Sequence, residues 1–236
     1  MNGTKTLGID EAGKGCVIGY MFVVGVALNR DEAEYLRSIG VKDSKLIHPR
    51  RRLKLYEEIS RIANLIVVEV VSPSQIDVSN LNIILMDRYA LIINKAREIL
   101  GGNLTRAVID AIYRKEILEK YLHNKVRGDL RIIVEYDADK KFIEVSAASI
   151  VAKVLRDKHI SLLHEVYGNF GSGYPSDPQT INWIREYFKR KGTLPPIIRR
   201  SWKTIKKIAP SYYVDKHRER GKRYSGAVKN GNKFTC

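Results

Sequence analysis

Two periodicities alternate along the 236-residue chain. Residues 6–9 and 17–28 are β-branched, apolar runs on either side of a glycine-rich corner, which predicts two strands joined by a tight turn. Residues 31–39 and 49–62 follow a helical period. The second has Pro49 in its first turn and Leu53, Tyr56 and Ile59 at helical spacing. Residues 65–71 read as a strand interrupted only by Glu69. From 82 to 100, apolar residues at 84, 85, 89, 92, 96 and 99 mark an amphipathic helix that Gly101 and Gly102 end. A short strand over 107–110, a helix near 115–121 and a strand over 131–136 follow. The longest predicted helix is 146–167, with Ile150, Val154, Leu155, Leu162, Leu163 and Val166 on one side. A Gly/Pro loop at 168–178 leads to helix 179–190 and a short basic helix at 200–208. Strands first, then strands alternating with helices, then helices only: this order predicts an α/β sheet domain with a helical C-terminal part.

Composition narrows the class. Hydrophobic residues at 44% and charged ones at 29% exclude a disordered chain. The longest charge-free stretch, residues 15–29, contains three glycines and is shorter than the ~20 apolar residues of a membrane span. No basic segment followed by an apolar run opens the chain, so a cytoplasmic protein is expected. Cys16 and Cys236 form neither a disulfide framework nor a zinc-ligand spacing and are read as unpaired; the five histidines are scattered.

Charge is uneven. Of the formal net +16, residues 185–236 carry +13, from 16 basic and 3 acidic side chains, with Trp202, Tyr212, Tyr213, Tyr224 and Phe234 interleaved. A nearly neutral body with a basic, aromatic-bearing end is the footprint of polyanion binding, and equally of a solubilising tail.

The acids are harder to explain structurally. Asp10 and Glu11 sit where an apolar strand runs into Gly13-Lys14-Gly15; acids there are often turn residues. Asp110 closes a second apolar strand and is followed by apolar residues, which leaves it no solvated face. Asp137 and Asp139 follow a third. If these strands are neighbours their carboxyl ends converge, where open α/β sheets place ligands. Converging carboxylates repel unless a cation neutralises them, and oxygen donors without His or Cys favour Mg²⁺ or Mn²⁺. An acid-lined metal site in a basic protein suits phosphodiester hydrolysis.

Residues 8–15 (Gly-Ile-Asp-Glu-Ala-Gly-Lys-Gly) resemble the opening motif of the ribonuclease HII (type 2 ribonuclease H) family. So do Lys42-Asp43-Ser44-Lys45, residues 146–153 (Ser-Ala-Ala-Ser-Ile-Val-Ala-Lys) with Arg156-Asp157, and Arg199-Arg200-Ser201-Trp202, the last as in its archaeal branch. The likeness runs from about residue 5 to 208 in the family's order. It implies a ribonuclease H-like fold: a five-stranded mixed sheet flanked by helices, with a helical C-terminal extension. The expected division is a catalytic sheet domain over 1–145, a helical substrate-binding part over 146–210 and a mobile basic tail over 211–236.

The resemblance maps the family's four catalytic, metal-binding acids onto Asp10, Glu11, Asp110 and Asp139. Asp139 is preferred over Asp137 because it lies seven residues before Ser146, as the family's acid does. These would hold two Mg²⁺ or Mn²⁺ ions ~4 Å apart. The implied reaction cuts the RNA strand of RNA–DNA hybrids and incises 5′ to ribonucleotides in duplex DNA, leaving 5′-phosphate and 3′-hydroxyl ends. Gly13, Lys14 and Gly15 would sense the 2′-hydroxyl through their backbone, though glycines also serve a tight corner. Lys14 stands where the family usually has Arg, which puts bidentate phosphate contact in doubt. Cys16 replaces a frequent Pro. Tyr174 matches a tyrosine that packs on the neighbouring sugar, and Lys45 and Ser149 match substrate or phosphate contacts. Lys153 fits either a phosphate contact or a solvated helix face.

The competing readings are another metal nuclease of the same fold and a non-catalytic basic nucleic-acid module. Residues 227–236 show no clear sliding-clamp motif. No membrane association is expected, and a monomer is.

Overall fold

The computed structural model describes residues 3–41, 47–111 and 114–216. Five strands form one mixed sheet: β1 (Lys5–Ala12), β2 (Met21–Leu28), β3 (Leu65–Val71), β4 (Leu104–Asp110) and β5 (Arg131–Glu135), in the order β3-β2-β1-β4-β5. β1 pairs antiparallel with β2 and parallel with β4; β2–β3 is antiparallel and β4–β5 parallel. The helices are α1 (Arg30–Ser38), α2 (Pro49–Ile62), α3 (Pro73–Asp77), α4 (Leu81–Leu100), α5 (Lys115–Lys125), α6 (Ala138–Lys141), α7 (Ile143–Tyr167), α8 (Pro178–Lys191) and α9 (Lys203–Ile208). None of the described helices is long and apolar enough to cross a membrane.

The strand period of two divides β1 between the faces. Leu7 and Ile9 pack with Tyr89, Ile92 and Ile93 of α4, while Ala12 packs with Ala147, Ala148 and Val151 of α7 on the other side. Two glycines set how closely these helices lie. A Cβ on Gly8 would fall 2.1 Å from the Glu144 carbonyl carbon and 2.2 Å from the Val145 nitrogen. A Cβ on Gly25, opposite Ile9 on β2, would meet Ile92 at 2.5 Å. Because backbone blocks the first approach, α7 rests directly on β1, and that contact brings its Ser149–Lys153 turn beside the strand's end.

Several boundaries differ from the pattern's prediction. The second strand begins at Met21 rather than at 17, so the turn that the Cys16 N–H closes on the Gly13 carbonyl does not lead straight into it. Residues 17–20 leave the sheet: Val17 and Ile18 donate to the Gly173 carbonyl, Gly19 donates to that of Ile197, and Ile18 bridges Ile198. An apolar run destined for a second core reads like a strand. That core joins Val17 and Ile18 to Ile160, Phe170, Ile184, Leu194 and Ile205. α7 starts at Ile143, so position 145/146 falls inside a helix whose first half is buried on the sheet. Its distal half departs from the predicted stripe, with Leu162 and Val166 exposed and Ile160 buried. On α2 Ile59 is buried and Tyr56 packs on the same core as predicted, but Leu53 is exposed and Leu55 takes its place inside. The last helix begins at Lys203, because Asp77 takes the Arg200 and Ser201 N–H groups into a turn ahead of it.

Gly8→Ala should shift α7 or prevent folding, lowering unfolding free energy by about 3 kcal/mol or more. A denaturant titration reads this directly; unchanged stability would refute the tight β1–α7 contact.

Candidate active site

β1 and β4 run parallel with Ile9 opposite Ile109, so Asp10, Glu11 and Asp110 emerge together at one sheet edge. Asp10, Glu11, Gly13, Lys14, Gly15, Asp110, Asp139 and Tyr174 line one cavity of about 430 Å³, with Arg52, Lys153, Arg156 and Asp157 completing the wall. A larger cavity, about 560 Å³, lies at the opposite end of the sheet; arginines and threonines with only two carboxylates line it. Chemistry, not volume, picks out the site.

Successive strand residues face opposite ways, and each of the paired acids is held by a different helix. Asp10, 8% exposed, accepts from the Ser149 hydroxyl of α7, which itself accepts from Lys153. Its Oδ1 also accepts the Glu11 N–H at 2.7 Å. Glu11 Oε2 accepts from the Tyr89 hydroxyl of α4 at 2.6 Å, and Lys14 Nζ lies 4.0 Å from its Oε1. Asp110 Oδ1 accepts the Ala138 N–H at 2.8 Å, which ties β4 to α6. That helix escaped the periodicity because it is one turn long, yet it places Asp139.

The two candidates for the fourth acid part company here. Asp139 is 3% exposed and lines the cavity. Asp137 precedes α6 with φ of 53°, pairs with Lys140 at 3.0 Å and is absent from the cavity wall. Ser149 stands behind Asp10 rather than on the wall, and Lys45 lies outside the described residues. Cys16 is a buried thiol in contact with Arg156; Cys236 lies outside the described residues.

Burial dominates the electrostatics. It raises the Asp10 carboxyl to about 7, with the neighbouring Glu11 charge adding to the shift and the Ser149 hydrogen bond and Lys153 opposing it. Glu11 is raised too, again through burial first, against the Tyr89 hydrogen bond and Lys14. Tyr89 is pushed well above its ordinary value by burial and by Glu11, so it stays a donor. Tyr89 sat unnoticed in the apolar stripe of its helix; only its partner reveals a polar role.

Glycines shape the wall beside the acids. Gly13 has φ of +85°, and a Cβ there would lie 2.9 Å from the Tyr20 carbonyl. Gly15 is different: among the described residues a Cβ would meet only the Tyr174 ring, at 3.7 Å, an ordinary contact. Tyr174 is itself backed by Arg156, whose guanidinium carbon lies 4.8 Å from the ring centroid and which donates to the Ser172 carbonyl.

Comparison with known proteins decides the family. The ribonuclease HII family model matches residues 7–205. The chain belongs to the ribonuclease HII family. Ribonuclease HII of Sulfurisphaera tokodaii is 42% identical over 210 residues, covering 89% of this chain and 98% of that protein. The crystal structure of the ribonuclease H2 from Pyrococcus horikoshii OT3 superposes with a TM-score of 0.82 at 37% identity, covering 89% and 99% of the two chains. Ribonuclease HII from Archaeoglobus fulgidus, solved as a complex with PCNA, matches at 0.76 and 41% identity, covering 86% of this chain and 96% of that one. The five-stranded sheet and flanking helices are thus the ribonuclease HII fold. Residues 227–236, in which no clamp motif was read, lie outside the described residues.

Asp10 gives the metal-free protein a pH signature. A raised carboxyl value means that the fold favours the protonated acid. That advantage is complete below the ordinary carboxylate value near 4 and is lost as pH climbs through about 7. Asp10→Asn should therefore stabilise the EDTA-treated protein at pH 8 by about 2–4 kcal/mol and change little at pH 4. Equal effects at both pH values in thermal unfolding would contradict a buried, strained Asp10.

Proposed function

We propose that this ribonuclease HII hydrolyses the RNA strand of RNA–DNA hybrids and incises duplex DNA 5′ to embedded ribonucleotides. The products carry 5′-phosphate and 3′-hydroxyl ends. The observation that carries the reading is the convergence of Asp10, Glu11, Asp110 and Asp139 on one cavity at the carboxyl ends of β1 and β4.

The donor chemistry fits a hard dication. Every acid on the wall is a carboxylate, with no imidazole or thiol among the lining residues. Among the described residues, no three His, Cys, Asp or Glu side chains lie close enough together to hold one ion. Burial and the Glu11 charge disfavour an ionised Asp10, and a bound dication would offset both. Asp10, Glu11, Asp110 and Asp139 would hold the Mg²⁺ or Mn²⁺ ions. When bound, these ions supply a more acidic attacking water and charge stabilisation at the departing 3′ oxygen.

The chain's own residues do the rest. Ser149 and Tyr89 hold Asp10 and Glu11 in place from opposite sides of the sheet. Asp110 fixes the start of α6 and, with it, Asp139. Lys14, Arg52, Lys153 and Arg156 surround the acids with cations suited to the scissile and flanking phosphates. Only a 2′-hydroxyl distinguishes RNA from DNA at a given sugar. Gly15 supports the loop at 13–15 as its sensor, because the protein's own packing leaves room for a side chain there. A sugar approaching the backbone edge at 15 is then what a side chain there would obstruct.

Three duplexes of one sequence test the reaction: all DNA, one embedded ribonucleotide, and a full hybrid, each with Mg²⁺, Mn²⁺ or EDTA. Cleavage should require ribonucleotide and metal, and Asp110→Asn and Asp139→Asn should reduce it by about 10²-fold or more. Asp137→Asn should cleave like wild type. Equal cutting of the DNA duplex would indicate a different nuclease of this fold, and binding without cutting a non-catalytic module. Gly15→Ala should melt like wild type yet incise the single-ribonucleotide duplex about 10²-fold more slowly; full activity would remove Gly15 from the sugar contact.

A further inference from the structure

The loop that carries Gly13 and Gly15 is gripped from behind by residues about 185 positions later in the chain. Arg199 is fully buried. Its Nε donates to the Gly19 carbonyl and its Nη1 to the Lys14 carbonyl, both at 3.0 Å. The guanidinium lies 5.1 Å from the Trp202 ring, and the Trp202 indole N–H reaches the Gly15 carbonyl at 3.3 Å. Neither residue lines the cavity.

A cation in this position is an expensive way to fill space. Burial depresses its value to about 10, and its hydrogen-bond acceptors are peptide carbonyls. Asp77, whose field favours the charge, directs its oxygens to the Arg200 and Ser201 N–H groups and the Ser201 hydroxyl. An apolar side chain of similar size would pack at lower cost. What the arginine supplies is direction. The described chain has no cis peptide, and in a trans peptide the N–H points opposite to the C=O. Turning the Lys14 carbonyl toward Arg199 therefore turns the Gly15 N–H the other way. Turning the Gly15 carbonyl toward Trp202 likewise aims the Cys16 N–H at the Gly13 carbonyl, where it is found at 3.3 Å.

We infer that Arg199 and Trp202 are positioning residues for ribose recognition: they set the backbone edge of the 13–15 loop from its far side, so that selection of ribose over deoxyribose depends on the C-terminal part of the chain. The inference rests on the loop being the sugar contact.

Trp202→Phe keeps an aromatic ring but removes the indole N–H together with the fused five-membered ring, so native melting is its control; Arg199→Lys keeps the charge and loses the two-pronged grip. Binding in EDTA to the single-ribonucleotide duplex and to its all-DNA counterpart separates sugar reading from general affinity. Wild type should prefer the ribonucleotide duplex. Each variant should bring the two dissociation constants together while leaving the all-DNA value unchanged. In Mg²⁺, kcat on the ribonucleotide duplex should fall about 10- to 100-fold. Preserved preference in Trp202→Phe with native melting overturns the inference, as does an equal loss on both duplexes. Should Arg199→Lys fail to fold, Trp202→Phe alone decides. No preference in wild type itself would overturn the sugar-contact reading and this inference with it.

Discussion

Everything in this molecule is arranged around like charges brought together at the end of a strand. Asp10 and Glu11 are neighbours on β1, both out of water, with Asp110 beside them on β4. Burial first, and after it the neighbouring negative charges, raises both carboxyl values and opposes folding as pH climbs. The fold accepts this by attaching each acid to a different support. Strand alternation sends Asp10 toward α7 and Glu11 toward α4, where Ser149 and Tyr89 donate to them. Each contact requires its helix to lie close to the sheet, and Gly8 and Gly25 are the positions where a side chain would forbid that. The apolar cores on the two faces are therefore also the scaffold of the acid pair.

A second core, built on Val17, Ile18 and the C-terminal helices, has a different task. Residues 17–20 leave the path of β2 to join it, carrying with them one end of the glycine corner. The other end is β1 itself. The loop between thus runs from β1 to the second core, and its carbonyls are taken up by Arg199 and Trp202. The acids are held from the sheet and its helices and the glycine loop from Arg199 and Trp202, with Trp202 packing against both cores.

Much of this was legible in the chain. The periodicities placed the five strands and the long helices, and the motif order identified the family that comparison then established. Asp10, Glu11 and Asp110 announced themselves as acids ending apolar runs. Other features were hidden for identifiable reasons. Tyr89 is apolar by pattern and polar by partner. α6 is too short to have a period, so only the family resemblance favoured Asp139 over Asp137, and burial then distinguished their surroundings. The apolar run at 17–20 looked like strand because the same residue types fill either core.

The sequence by itself determined which elements form and which residues carry charge, since hydrophobic period and side-chain chemistry are local properties. It also determined the family, through motifs whose order survives without coordinates. Only the tertiary structure decided which face each acid is held from, which helix end brings Asp139 to the cavity, and that a buried arginine near the far end holds the glycine loop. Those are relations between segments up to 185 residues apart, fixed by the closeness of packing that a few glycines allow.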